Sequence, residues 1–142
     1  MGRMIPPAEH FRSTIPVVAK FQTLIRDLLL VLRAVPGVEI GRLRRGPDPL
    51  LAMLRARGRR GFARTHSERA RLAQIIRVAD ACFPGGGNCY RRALLEIAVD
   101  PVAATTPLRL GLRTGGGPRS GHAWLGANTD DPGAHFDAEF SV

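Results

Sequence analysis

The sequence predicts an α+β domain whose helices come first and whose small antiparallel sheet comes last. Three observations carry that expectation. Up to Asp100 the apolar residues recur at the three-and-four spacing of helices. After Pro107 the period falls to two. Between segments stand strong breakers: Pro36-Gly37, Pro84-Gly85-Gly86-Gly87 and Gly115-Gly116-Gly117-Pro118. With 142 residues, 44% of them hydrophobic, residues 1–142 form one domain able to bury a core. At that length no second, cofactor-binding domain is expected.

The first helix is expected from about Val17 to Arg33, where Val17, Val18, Phe21, Leu24, Ile25, Leu28, Leu29 and Leu32 form one broad apolar face. Pro36-Gly37 should end it. A loop of Gly, Arg and Pro then leads to Asp48-Pro49, a cap and first-turn proline for a short helix from Leu50 to Arg57, closed by Gly58. Arg55 to Arg64 reads as a mobile or partner-facing loop. Thr65-His66-Ser67-Glu68 is a capping box, in which Thr65 and Glu68 each satisfy an orphan backbone N–H. Leu72, Ile75, Ile76, Ala79 and Cys82 follow on one face, and the glycine run stops that helix. Cys89 to Ala98 starts another, ending before Asp100-Pro101.

Leu108, Leu110 and Leu112 alternate with Arg109, Gly111 and Arg113 as a half-buried strand. A second strand is expected at His122-Ala123-Trp124-Leu125, and Asn128 to Gly133 is a polar turn. A third strand places Phe136, Ala138, Phe140 and Val142 on one face and His135, Asp137 and Glu139 on the other. The three should form a meander, with the last strand beside the His122 strand.

Charge is divided unevenly. Against 12 acidic residues stand 21 basic ones, a net of +9, and Lys20 is the sole lysine. Residues 1–92 carry +12 and residues 93–142 carry −3. An arginine-rich helical front portion, 1–64, thus precedes a more acidic core, 65–142. Such a balance favours acidic partners. The longest apolar stretch, Leu28 to Leu32, is fenced by Arg26-Asp27 and Arg33, far short of the roughly 20 apolar residues of a membrane span. Met1-Gly2-Arg3-Met4-Ile5-Pro6-Pro7 has no apolar run behind its charge, so no secretory signal is expected there and the expected compartment is the reducing cytoplasm. Two cysteines exclude a disulfide framework, and their spacing fits neither a redox CxxC nor a zinc site.

Cys89 is the leading candidate for chemistry. Three glycines and Asn88 deliver the chain to a helix that begins with this residue. Unpaired N–H groups and the helix dipole favour the nucleophilic thiolate there. Glycines also clear the approach to the sulfur. The alternative is a small buried hydrophobe, since free cysteines are commonly buried. Cys82, on the apolar face before Phe83-Pro84, is expected in the core. His122 lies in Ser120-Gly121-His122-Ala123-Trp124, with small neighbours opening it to a cleft and Trp124 on the same strand face. Within hydrogen-bond reach of a thiol it would serve as its base. Asp137 could hold one imidazole N–H and fix the tautomer. A solvated strand face, shared with Glu139, is the alternative, and Asp130 and Asp131 are rivals on a turn.

Cys89-Tyr90-Arg91-Arg92-Ala93-Leu94, Leu110-Gly111-Leu112-Arg113 and Gly121-His122-Ala123-Trp124, in that order and with an Asp beyond, resemble the transglutaminase-like cysteine peptidases that mature lasso peptides, the microcin-processing leader peptidases. The likeness covers roughly residues 70–142. Gly121 stands where that family has alanine, and Tyr90 where it has leucine. The resemblance implies a papain/transglutaminase-like fold, a Cys89–His122–Asp137 triad, an acyl-enzyme and no cofactor. It further implies a precursor peptide as substrate, a separate leader-recognition protein and a cyclase as partners. Two other readings compete. One is transglutaminase- or amidase-type acyl transfer on the same fold. The other is a nucleic-acid-binding module in which Arg42, Arg44, Arg45, Arg55, Arg57, Arg59, Arg60 and Arg64 line phosphates.

Overall fold

The computed structural model describes residues 14–113, 120–126 and 136–142. Asp130, Asp131, His135 and the two turns expected around Gly115 and Asn128 lie outside the described residues. Five helices precede three strands: α1 (Thr14–Arg44), α2 (Pro47–Gly58), α3 (His66–Ala81), α4 (Cys89–Val99), α5 (Pro101–Thr105), β1 (Leu108–Arg113), β2 (Ser120–Leu125) and β3 (Ala138–Ser141). The helices-then-sheet order of an α+β chain is therefore present. Helix α4 is the hub. It packs on the other four helices and on β2, and Leu94, Leu95 and Ile97 are wholly buried. Gly58 lets α2 reach it, because a Cβ there would collide with the Ile97 carbonyl oxygen.

Helix α1 overturns two expectations. It does not stop at Pro36-Gly37 but runs on to Arg44. A mid-helix proline costs about 3 kcal/mol, largely through a lost hydrogen bond. Here Pro36 is on the exposed side, and the buried stripe Val31, Ala34, Val35 and Val38 continues past it. Leu50 then packs into Gly41, where a Cβ would clash. Second, the broad face of Phe21, Leu24, Ile25, Leu28, Leu29 and Leu32 is not the core face. Those side chains are 40–61% exposed. The inward stripe instead carries a buried aspartate, Asp27, met by Arg64 at 3.2 Å, Arg71 at 3.3 Å and Arg26 at 3.5 Å.

Arg64 also donates to the Val99 carbonyl at 2.9 Å and lies 3.5 Å from Asp100. The end of the expected arginine loop is thus a buried tie between α1 and α4, and Arg64 is withdrawn from any phosphate-binding set. Arg42 pairs with Glu39, and Arg55 donates to the Val142 carbonyl. The α3 capping box forms as expected. Thr65 N–H donates to Glu68 Oε2 at 2.8 Å and Glu68 N–H to Thr65 Oγ1 at 3.3 Å. Helix α2 begins earlier than expected, with Gly46 as its cap and Asp48 inside its first turn. Cys82 is exposed at the end of α3 rather than buried, because the helix closes there and the side chain clears the core.

The sheet is antiparallel in the order β2-β1-β3, so it is not a meander. Leu110 faces Ala123 on one side and Phe140 on the other. The outer edge of β2 is occupied in part: Cys89 Sγ, at the start of α4, meets the Ala123 N–H and the Gly121 carbonyl there, and the last strand pairs with the far edge of β1 instead. Among the described residues no helix is long and apolar enough to cross a membrane.

Candidate active site

The loop from Pro84 to Asn88 is shaped from beneath by a buried ion pair. Asp80, at 1% exposure, accepts the N–H groups of Gly87 and Asn88 on Oδ2, each at 3.0 Å. Its Oδ1 takes Arg91 Nε, and Arg91 Nη2 donates to the Gly85 carbonyl at 3.0 Å. Gly85 and Gly87 adopt φ of 71° and 80°, the left-handed region that side chains rarely enter. So one carboxylate and one guanidinium hold both ends of the turn that delivers Cys89. Asp80 and Arg91 were not among the candidates from sequence. The available signal was a carboxylate on the Ile76 and Ala79 face, with an arginine just beyond the glycine run.

Asn88 caps α4, its side chain accepting the Arg91 N–H at 3.0 Å, and the first helical bond runs from Arg92 N–H to Asn88 O at 3.1 Å. The Asn88 N–H is taken by Asp80. The N–H groups of Cys89 and Tyr90 are therefore the helix-start donors with no acceptor within the helix.

Cys89 is half-buried, and its Sγ is stitched to the edge of β2. It accepts the Ala123 N–H at 3.3 Å and lies 3.9 Å from the Gly121 carbonyl oxygen, to which the thiol donates. These are the two neighbours of His122. The imidazole itself stands in a ring cluster, with centroids 5.7 Å from Trp124 and 6.1 Å from Phe136 and planes inclined by 23° and 3°. Trp124 and Phe136 lie 5.1 Å apart. Gly111 in β1 makes room, since any Cβ there would strike the Phe136 ring. Trp124 does flank His122, as its place on the strand suggested.

Cys89 and His122 line one open cleft of about 410 Å³ between α3, α4 and β2, bordered also by Arg77, Arg92 and Trp124. A second hollow of about 380 Å³, on the side of Asn88 and Tyr90, reaches both residues as well. Cys89 thus borders two hollows. Asp137 is placed differently. It precedes β3, which lies across β1 from β2, and its backbone N–H donates to the Leu112 carbonyl at 2.8 Å. The expected adjacency of its strand to the His122 strand is not found. In the ladder the third-strand residue level with His122, through Gly111, is Glu139, which lies 4.0 Å from Arg109.

No group of three or more His, Cys, Asp or Glu side chains among the described residues could hold a metal ion. The arrangement places a thiol and an imidazole on one cleft. No protein-family model, curated protein or solved structure matches this chain.

Proposed function

We propose that this chain is a cysteine peptidase that removes the leader from a ribosomally made, lasso-type precursor peptide. The observation that carries the reading is the seating of Cys89. Its sulfur stands at a helix start, hydrogen-bonded to both neighbours of a histidine that opens on the same cleft. The resemblance of the Cys89, Leu110 and Gly121 segments to leader peptidases supports the same reading, as does the helices-then-sheet order of a papain/transglutaminase-like domain.

In the proposed reaction His122 takes the thiol proton and Cys89 Sγ attacks the scissile carbonyl carbon. The oxyanion that forms is met by the Cys89 N–H. The C–N bond breaks, the imidazolium returns its proton to the leaving amine, and a thioester remains. Water, deprotonated by His122, attacks the thioester and frees the carboxylate and the thiol. Asp137 takes the orienting role by resemblance, with Glu139 as the carboxylate level with His122 in the sheet. A cytoplasmic precursor, a leader-recognition protein and a cyclase complete the pathway.

The test is cleavage of a purified precursor, with its recognition partner, by wild type, Cys89→Ala and Cys82→Ser. Cys89→Ala should lose at least about a thousandfold in rate, while Cys82→Ser, outside the cleft, should match wild type. Undiminished processing by Cys89→Ala would refute the assignment. Product masses separate water from an amine as the acyl acceptor.

A further inference from the structure

The chemistry at Cys89 leaves the charges of its cleft without a role. That cleft continues along α3 into another hollow of about 220 Å³, and Ala73, Glu96 and Leu125 line both. Arg69, Ala73 and Arg77 are four residues apart on α3, so they form a single stripe along this wall. Arg77 borders the Cys89 end and Arg69 the distal end.

Most other arginines nearby are already committed. Arg64 and Arg71 serve Asp27, and Arg91 serves Asp80. Among the described residues, neither Arg69 nor Arg77 forms an ion pair. Glu96 contributes one carboxylate to the groove. Asp100, at its far end, is buried, capping Ala103 N–H at 3.1 Å and facing Arg64 at 3.5 Å. The α3 wall therefore offers two uncommitted cations to whatever lies in the groove.

We propose that the groove takes an extended peptide bearing two carboxylate side chains four residues apart, one against Arg77 beside Cys89 and one against Arg69. The spacing follows from geometry. Eight helical residues separate the two arginines by about 12 Å at roughly 1.5 Å per residue. An extended chain rises about 3.4 Å per residue and repeats a face every second one. Carboxylates four apart span about 14 Å and meet both cations; two apart they span about 7 Å and meet one. Calling this peptide a substrate rests on the peptidase reading, whereas the charge preference itself does not.

Binding of labelled peptides to the full chain tests the idea by fluorescence anisotropy. Three peptides of roughly a dozen residues share one neutral sequence and carry a Glu pair four apart, a Glu pair two apart, or Gln at the four-apart positions. Exposed ion pairs are modest and salt-screened, so the four-apart Glu peptide should bind about five- to tenfold tighter than its Gln twin in dilute buffer. The gap should narrow to about twofold at physiological salt. The two-apart peptide should fall between, and Arg69→Gln with Arg77→Gln should erase the differences. As a fold-independent check, Cys89 in a Cys82→Ser background is alkylated with iodoacetate and with iodoacetamide, iodide leaving in each case. Arg77→Gln should lower the acetate-to-amide rate ratio about twofold, any change in thiolate fraction cancelling in the ratio. Equal binding of the Glu and Gln twins, or a preference that survives loss of both arginines, overturns the inference. Cleavage of both twins alike would sink this inference and leave the peptidase standing. Selective binding without any cleavage would do the reverse.

Discussion

Two buried aspartates, Asp27 and Asp80, are built from the same parts and do different work. Asp27 gathers Arg26, Arg64 and Arg71 and so ties α1 to the segment before α3 and to α3 itself. Everything it touches is scaffold. Asp80 gathers Arg91, Arg92 at 3.7 Å and two backbone N–H groups, all in the turn or the first helical turn around Cys89. A charge inside a protein is tolerated only when its partners are supplied, and removing one partner strands the other. At Asp27 that penalty guards the packing of helices; at Asp80 it guards the shape of one turn.

The contrast breaks most readily at Asp27. Asp27→Ala leaves the buried Arg64 with Asp100 alone as its carboxylate, and should lower unfolding stability by about 3 kcal/mol in a urea titration. Alkylation of Cys89 in the fraction still folded should proceed at the wild-type rate. A smaller effect is expected at the second aspartate's partner. Arg91→Lys keeps a charge for Asp80 but gives up the fork that also reaches Gly85, for a loss of about 1–2 kcal/mol. Here precursor cleavage should fall about tenfold under conditions where circular dichroism shows an intact fold. If both variants changed stability and reactivity in proportion, the two hubs would be one.

The smallest effect belongs to a site remote from both. Thr65→Ala removes half of the α3 capping box and should cost about 1 kcal/mol, with no change at Cys89. The same box makes a pH prediction. Hydrogen bonds from the Thr65 backbone N–H and hydroxyl hold the Glu68 carboxyl below its ordinary value of 4.5. Its folded-state value being the lower one, the stabilisation is complete above 4.5 and fades as pH falls through the folded value. The difference in melting midpoint between wild type and Glu68→Ala should therefore shrink on acidification.

Features fixed within a few neighbouring residues could be read from the sequence. The Thr65–Glu68 box, the glycine stop and the start of α4 at Cys89 are local, and all three form. What failed depended on distant partners. Residues 21–38 carry two apolar stripes, and periodicity cannot say which one meets α3 and α4. The larger, from Phe21 to Leu32, faces out, and the one that continues through Val35 and Val38 faces in. The strand order was unreadable because Cys89, far away in sequence, occupies the β2 edge. For the site, Cys89 and His122 line one cleft, and the sulfur's hydrogen bonds go to the backbone on either side of His122. The carboxylate question turned on which strand neighbours which, and alternation cannot decide that. Asp80 and Arg91 escaped because a charge looks solvated until its partner across the turn is known.

The thiol's bonds to Gly121 and Ala123 have a mechanical consequence. A sheet edge left bare invites strangers to add a strand, and here a single sulfur atom helps to close it. Whatever modifies that atom must also let go of the edge. Covalent capture of Cys89, by substrate or by a synthetic reagent, should therefore loosen the seam between helix and sheet. Faster deuterium uptake at the Ala123 amide would register each such loosening.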